Sequence, residues 1–510
     1  MTGTSEAARL EPKEAGAPAA QREAKRLTHS AAHGLSWNGA TLVVRTVLNV
    51  VVASVLAHLL SPREYGIAGA AMIVVAIGST LSNLGMSEVM IQRKALEIRH
   101  IATASFISYS IATLLALAQW IFADRIASVM HVPELGEVSR VLAFLMFTGA
   151  FNLVAYALLS RHFQFRRTSV AQLVAWAAAN FLVGIPMAYL GFSYWALVAA
   201  SMTESLLLCA SYLVMARKFL VLPRFDRVAY REIRGPSLGF SLTAVLTYIA
   251  TYVDNFVVAR FIGTAQLGIY SRSYYLIAMP ANLFGNLNRS VVFPLMARVQ
   301  DDPVRLRNAI LKGFALTAAL ALPFSAFMVI FSHEFVATFL GAKWISATVP
   351  IMLFSAGIYF RVGYKVCGTV FLATGNNVHL ISMQVLYAIS VAVGALLSAP
   401  FGVEAVAAAV VIANGFSFLC YSYFCCQHTG VSLRDFLSVH TRPVIAAAGV
   451  CLSSGLIKLI LAGWPDLLVM TTGALAVGLC FAVTLYLRPS AILGTDGADL
   501  IRGLSGFRSK

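Results

Sequence analysis

The sequence has little charge: Asp, Glu, Lys and Arg make up 12% of its 510 residues, and only 22 are acids. A water-soluble chain of this length needs far more polar side chains to cover its surface, so an ordinary soluble globular protein is excluded. Cysteine is scarce as well. The seven (Cys209, Cys367, Cys420, Cys425, Cys426, Cys451, Cys480) fall in or beside apolar runs with no CxxC pair, the pattern of small buried hydrophobes rather than of a disulfide framework or zinc centre. The ten histidines show no metal-ligand spacing, and no metal or cofactor is expected. Residues 1–33, rich in Ala, Glu, Lys and Arg, have no apolar core before Leu35 and read as a disordered cytoplasmic tail rather than a signal peptide.

What is present is apolar. Hydrophobic residues reach 59% and the mean hydropathy is +0.78. They occur in runs of membrane-spanning length: Ser36 to Leu60, Gly66 to Leu84, Ile101 to Ala123, Val141 to Leu159, Val170 to Leu190 and Tyr194 to Met215; then Leu238 to Ile262, Gly268 to Val292, Ala309 to Phe331, Ala347 to Ala373, Val378 to Ala399 and Val403 to Cys426; finally Pro443 to Leu461 and Leu467 to Leu487. The expected fold is an all-α integral membrane protein of about 14 transmembrane helices. Its divisions are the tail 1–33, a first lobe of six spans over 34–216, a polar cytoplasmic linker 217–234, a second lobe of six over 235–428, and two last spans with a cytoplasmic tail over 429–510.

A net charge of +16 and a pI near 9.7 would suit nucleic acid, but the placement of the cations decides otherwise. With both termini in the cytoplasm, about 28 of the 38 Lys and Arg fall on the inner side, about 5 outside and about 5 within spans, as the positive-inside rule requires. Five of six tryptophans (Trp37, Trp120, Trp195, Trp344, Trp464) sit at span ends, where an aromatic belt would hold them.

An ungapped internal repeat joins Val55 to Ile77, VLAHLLSPREYGIAGAAMIVVAI, with Val257 to Met279, VVARFIGTAQLGIYSRSYYLIAM, and places Gly66 opposite Gly268. Its spacing covers an even number of spans, so the halves share one orientation and are expected to enclose a central cavity about an axis along the membrane normal. Loops are short; the longest are Arg217 to Arg234 and Arg289 to Asn308. They leave no room for a catalytic domain, and the adjacent acids Asp301 and Asp302, before Pro303, read as a solvated turn and helix start.

These residues resemble a known family. LAHLLSPREYGIAGAA followed by SNLGMSEVMIQR, YVDNFVVARFIGTAQLGIYSRSYYLIAMP with NRSVVFPLMARVQDD, and FLGAKWISATVP at Phe339 to Pro350 are similar to the first hairpin, the seventh and eighth helices and the tenth-helix turn of bacterial polysaccharide flippases of the multidrug/oligosaccharidyl-lipid/polysaccharide exporter superfamily. The resemblance implies movement of an undecaprenyl-diphosphate-linked oligosaccharide across the bacterial inner membrane, for O-antigen, capsule or exopolysaccharide assembly, with no bond made or broken. It implies two six-helix lobes plus two C-terminal helices, and as partners the lipid-linked oligosaccharide, membrane lipids and other polysaccharide assembly proteins. A drug or cation antiporter of the same superfamily is the alternative; it would need carboxylates facing its cavity, and the spans hold more cations than acids. A polymerase or ligase acting on lipid-linked glycans is disfavoured by short loops without clustered acids or His.

A charge in the membrane is costly and invites a pairing or cavity explanation. Seven stand in the spans: Arg45, Glu204, Asp254, Arg272, Arg361, Lys365 and Lys458. Arg361 and Lys365, four apart on one helix, share a face and, with Arg45, lie in the cytoplasmic half; all three, joined by Arg272, are candidates to hold a diphosphate. The structural alternative is snorkelling or static pairing. Asp254 and Arg272, at similar depth on consecutive helices, are expected to pair, either as a fixed salt bridge or as an ion-coupling switch. Glu204, between Thr203 and Ser205, is a second coupling candidate or is satisfied by neighbouring helices. Tyr248, Tyr252, Asn255, Tyr270, Tyr274, Tyr275, Asn282, Asn286 and Asn288 offer stacking and hydrogen bonds to sugars or glue between helices. Kinks are expected near Pro186, Pro280 and Pro323.

Overall fold

The computed structural model describes residues 44–93, 95–299, 302–374 and 377–487; at 236, 238–240, 242–243, 287–295, 297–298, 372–373, 377–378, 481 and 485–487 only the backbone is described. The expected N-terminal tail, Trp37, Asp301 and the chain from 488 onward lie outside the described residues, and so does the Asn288 side chain. Every regular element among the described residues is helical. We number the long helices α1 (Val44–Leu59), α2 (Pro62–Asn83), α3 (Ile98–Ile121), α4 (Leu135–Arg161), α5 (Phe165–Tyr189), α6 (Trp195–Ala216), α7 (Arg227–Phe261), α8 (Thr264–Arg298), α9 (Pro303–Ile330), α10 (Ala342–Phe371), α11 (His379–Phe401), α12 (Val403–Thr429), α13 (Leu433–Ile460) and α14 (Asp466–Thr484).

Eleven of these, rather than fourteen, are long and apolar enough to cross a membrane among the described residues. α1 is described only from Val44 on, α7 and α8 include residues of which only the backbone is described, and α8 is besides diluted by the Tyr, Asn and Arg that the sequence gathers there.

Caps fix where the helices begin. Ser61 opens α2 in a capping box, its backbone N–H donating to Glu64 Oε2 at 2.6 Å, with Pro62 in the first turn. Asp226 accepts from the backbone N–H groups of Val228 and Ala229 at 2.8 and 2.9 Å, so α7 starts at Arg227 and the expected linker 217–234 is helical over its last eight residues. Asp302 caps α9 in the same way, which makes it the helix start foreseen. α8 stays helical to Arg298, so the loop expected from Arg289 is mostly helix. Upstream of Pro186, α5 widens into a π-helical stretch, Ala179–Gly184, because a proline ring removes one donor and crowds the carbonyl four residues back.

Two ends of the bundle can be told apart: the turn end carries the α1–α2 and α7–α8 turns, and the linker end carries residues 217–226. At the turn end the internal repeat meets itself. A Cβ built on Gly66 would lie 1.8 Å from the carbonyl oxygen of Thr264, and one built on Gly268 1.8 Å from that of Pro62; Thr264 and Pro62 are themselves repeat counterparts. The contact is therefore reciprocal, as across a two-fold axis, and only residues without a side chain let the α2 and α8 backbones come so close. Beside it the Trp344 indole N–H donates to the Ala57 carbonyl at 2.9 Å, and the ring meets Tyr65 edge-on at 5.2 Å between centroids. Trp344 is thus fully buried between the halves and not part of an aromatic belt, while Trp120 and Trp464 are exposed at helix ends as expected.

At the linker end, α7 is tied to the first half through Glu232. The Glu97 backbone N–H donates to His100 Nδ1 at 3.0 Å, which leaves Nε2–H to donate to Glu232 at 2.9 Å; Arg93 and Arg99 reach the same carboxylate at 2.5 and 3.2 Å. The His100 hydrogen bond, with the two guanidiniums, holds the Glu232 carboxyl below its ordinary range.

α13 packs along α9, and α14 packs on the short helix Ser332–Phe339. There Lys458, expected near the end of the thirteenth span, pairs with the nearly buried Glu334 at 2.8 Å and donates to the Ile330 carbonyl at 3.1 Å. Truncating one partner of a buried pair strands the other charge, at a cost of roughly 3–5 kcal/mol when burial is complete and less for this half-exposed lysine. Lys458→Met is expected to lower the melting temperature of the purified protein by several degrees, and Glu334→Gln added to it to recover most of the loss; equal melting temperatures for wild type and Lys458→Met would refute the pairing as a stabiliser.

Candidate functional site

Two cavities meet in the middle of the bundle. One, of about 680 Å³, is walled by both halves: Asn49, Trp176, Asn180, Ser201 and Glu204 from the first, and Tyr252, Asn255, Arg272, Tyr274 and Arg361 from the second. The other, of about 420 Å³, extends within the second half toward the linker end and is lined by Lys365, Asn282, Asn286, Gln384, Tyr364, Tyr387 and Tyr421. Thr251, Tyr274, Asn282 and Arg361 belong to both walls, so the two form one chamber with Arg361 at its waist.

Helix geometry gives the chamber its charge. Residues four apart on α10 lie on one face, which brings Arg361 and Lys365 to the same wall. The Arg361 guanidinium sits over the Tyr274 ring at 4.2 Å, and Lys365 donates a long hydrogen bond to Asn282 Oδ1 at 3.5 Å. Arg272 lies over the rings of Tyr65 and Tyr275 at 4.8 and 5.7 Å, its Nε buried without a hydrogen-bond partner. None of these three cations has an acidic partner within ion-pair distance among the described residues.

Arg45 differs. It is bonded to Glu204 at 3.1 Å, both side chains partly exposed, and it is Glu204 that forms part of the chamber wall. Thr203 aside, Ser205 also finds a partner, sharing a 2.7 Å hydrogen bond with Thr148. The first half therefore presents a neutralised pair and the second half an uncompensated positive wall.

The expected pair of Asp254 with Arg272 does not form among the described residues. Asp254 is buried, accepting from the Tyr270 hydroxyl at 2.6 Å and from the Asn255 backbone and side-chain nitrogens at 2.7 and 3.0 Å. Tyr270 and Arg272 are two apart on α8, about 200° around the helix, so turning the tyrosine to Asp254 turns the arginine away from it and into the chamber. Three neutral donors thus replace the guanidinium; Arg361 is the cation whose field reaches Asp254.

The tyrosines and asparagines divide by function. Tyr252, Tyr274, Tyr275, Asn255, Asn282 and Asn286 reach the chamber, whereas Tyr270 is spent on Asp254 and the Tyr248 hydroxyl donates to the Ile73 carbonyl. Sequence reasoning missed Tyr364, Tyr387, Tyr421 and Gln384, which complete the second-half wall. Tyr364 could have been found as the neighbour of Lys365 and Gln384 as a polar side chain inside a span; Tyr387 and Tyr421 stand in strongly apolar spans, where an aromatic reads as core. Among the described residues no cluster of three His, Cys, Asp or Glu could hold a metal ion.

A family profile described as polysaccharide biosynthesis protein matches residues 55–349. The chain is 24% identical over 335 residues to the lipopolysaccharide biosynthesis protein WzxC of Escherichia coli (strain K12), covering 62% of this chain and 65% of that protein. It is 22% identical over 315 residues to the succinoglycan biosynthesis transport protein ExoT of Rhizobium meliloti (strain 1021), covering 61% and 63%. The matched region thus spans a little under two thirds of each of these relatives. Among solved structures the fold resembles the lipid II flippase MurJ in an inward closed conformation, with a TM-score of 0.70, 13% identity, and 88% of this chain and 99% of that chain covered. It also resembles an inward-facing multidrug resistance MATE family transporter of the MOP superfamily, with a TM-score of 0.62, 16% identity, and 76% and 94% covered.

Proposed function

We propose that this chain, which belongs to the polysaccharide biosynthesis protein family, moves a polyprenyl-diphosphate-linked oligosaccharide from one leaflet of the bacterial inner membrane to the other by alternating access. The observation that carries the reading is the chamber itself: one polar cavity between the two halves, with Arg361, Arg272 and Lys365 on its wall and, among the described residues, no acid within ion-pair distance of them. A diphosphate taken from water into a low-dielectric bundle needs positive partners; Arg offers a fork matched to phosphate oxygens and Lys a point charge. Tyr252, Tyr274, Tyr364 and Asn282 around them suit the ring faces and hydroxyls of sugars. Names of the matched relatives point the same way, since they belong to lipopolysaccharide and succinoglycan biosynthesis.

The linker end, with its excess of Lys and Arg, faces the cytoplasm, as do both termini. The Gly66–Gly268 crossing and the Glu232 cluster are the contacts that break in turn as the halves rock. Asp254 and Glu204 are the groups able to exchange a proton or cation during the cycle, Asp254 buried behind the chamber-lining Asn255 and Glu204 in competition with Arg45. A drug or cation antiporter would want its wall acids free, and the wall acid here is already paired.

The test is complementation of a strain lacking the gene, with surface polysaccharide measured at equal protein abundance. Losing two charge-assisted bonds at about 1.5 kcal/mol each, softened by the remaining cations, predicts roughly a tenfold fall for Arg361→Gln, with Arg361→Lys recovering part of it. Wild-type polysaccharide in an Arg361→Gln, Lys365→Gln double variant would sink the proposal.

A further inference from the structure

Between α2 and α7, in the half of the bundle nearer the turn end, lies another cavity, of about 530 Å³. Its walls are apolar, with Ile73, Val74 and Ile77 from α2 facing Ile249, Val253 and Phe256 from α7. The short helix Ala123–Met130 closes one side with Val129 and the exposed Arg125. Ile249 and Val129 are 40% and 53% exposed, so the slot opens on the outer surface of the bundle, where hydrocarbon surrounds a spanning protein.

Its inner side is the chamber. Ile73 and Tyr252 belong to the walls of both cavities, and these two side chains stand between an oily slot and a polar, cationic compartment. Tyr252 stacks on Tyr248 at 4.8 Å between ring centroids, and the Tyr248 hydroxyl donates across the seam to the carbonyl of Ile73. A tyrosine pair tied to the α2 backbone through the Tyr248 hydroxyl is a wall that side-chain rotation can open without moving a helix.

A lipid whose diphosphate occupies the chamber still has a long hydrocarbon chain, which gains nothing among polar groups and cannot pass through packed core. We infer that the α2–α7 slot receives the first isoprene units of the carrier lipid while its diphosphate is held in the chamber, with the Tyr248–Tyr252 pair as the shutter between them. The inference rests on the diphosphate reading above. It adds where the chain leaves the protein and makes the site selective for a diphosphate that carries an isoprenoid tail.

The experiment measures binding of inorganic diphosphate and of farnesyl diphosphate to the detergent-purified full chain, to Ile249→Trp and to Val129→Trp. Both substituted positions are exposed on the slot's outer walls, so the indoles fill the slot without entering the core, and an unchanged melting temperature checks this. Wild type is expected to bind farnesyl diphosphate at least tenfold more tightly than inorganic diphosphate. Partition of the chain into the micelle favours the farnesyl probe equally in every variant, so the comparison is between proteins. Each tryptophan variant is expected to lose most of the farnesyl advantage and to keep its affinity for inorganic diphosphate. Retention of the full advantage in both variants overturns the slot and leaves the chamber reading standing. If neither probe binds wild type, or if Arg361→Gln leaves inorganic diphosphate binding unchanged, the chamber reading falls and the slot falls with it.

Discussion

Valine at Gly66 or Gly268 is expected to reduce surface polysaccharide to the level of a strain lacking the gene while the protein remains in the membrane at normal abundance. A carbon atom placed at either Cβ position would stand 1.8 Å from a carbonyl oxygen of the other half, where contact distances are nearly twice that. The obstacle on each side is backbone at a helix start, Thr264 or Pro62, which cannot rotate out of the way as a flexible side chain would. The turn-end seal then opens by more than an ångström, and Trp344 loses its hold on Ala57 with it. Packed interfaces are bistable rather than elastic, so a seal that cannot close leaves the halves on one side of the cycle. Gly69→Ala is the control, because the nearest atom to its Cβ is Ser271 Oγ at an ordinary 3.7 Å; it should retain full function. Because the two contacts are symmetry counterparts, the Gly66 and Gly268 variants should fail equally. Valine variants that complement fully would show that this crossing is not part of the working cycle.

That crossing was half legible in the sequence. The repeat and the alignment of Gly66 with Gly268 could be read directly, and the even number of spans between them called for a shared orientation. That each glycine touches the other copy's helix start could not be read, because a repeat shows likeness, not contact. The same division runs through the chamber. Spacing alone put Arg361 and Lys365 on one face, and four residues of helix is short enough for that inference to survive any small kink. Asp254 with Arg272 asked more of the sequence: equal depth on neighbouring helices is necessary for pairing, but rotation about each axis decides it, and Tyr270 had the competing claim. Trp344 misled for a similar reason, since a tryptophan at a span end can face lipid headgroups or another helix, and only the Ala57 carbonyl shows which. The positions of the spans were legible throughout, α7 and α8 included, because even the helices that line a polar chamber keep apolar runs of spanning length; of the fourteen expected, eleven meet the length and hydropathy needed among the described residues.

Asp254→Asn is expected to abolish gradient-driven transport and leave the fold intact. The carboxylate collects three hydrogen bonds, from the Tyr270 hydroxyl and from both nitrogens of Asn255, and an amide of the same shape keeps an acceptor for the Asn255 donors on one arm. What it loses is a negative charge whose field reaches Arg361, the residue at the waist of the chamber, without pairing with it. A buried charge with only neutral donors is tolerated where it serves a cycle, and on the proposed function its exchange partners would be the chamber cations, a diphosphate that competes for them, and an ion from either side. Removing the charge leaves Arg361 permanently available to the diphosphate, so binding should strengthen while release slows. In vesicles reconstituted with the purified chain, wild-type flipping of a polyprenyl-diphosphate oligosaccharide is expected to respond to an imposed proton or sodium gradient, and the Asn variant to run at the gradient-free rate. Tyr270→Phe separates the two parts of the site: it removes one hydrogen bond and keeps the charge, so it should slow transport only a fewfold and keep the gradient response. An Asn variant that still responds to the gradient would assign Asp254 to structure alone and pass the coupling role to Glu204, the acid that Arg45 already holds at the chamber wall.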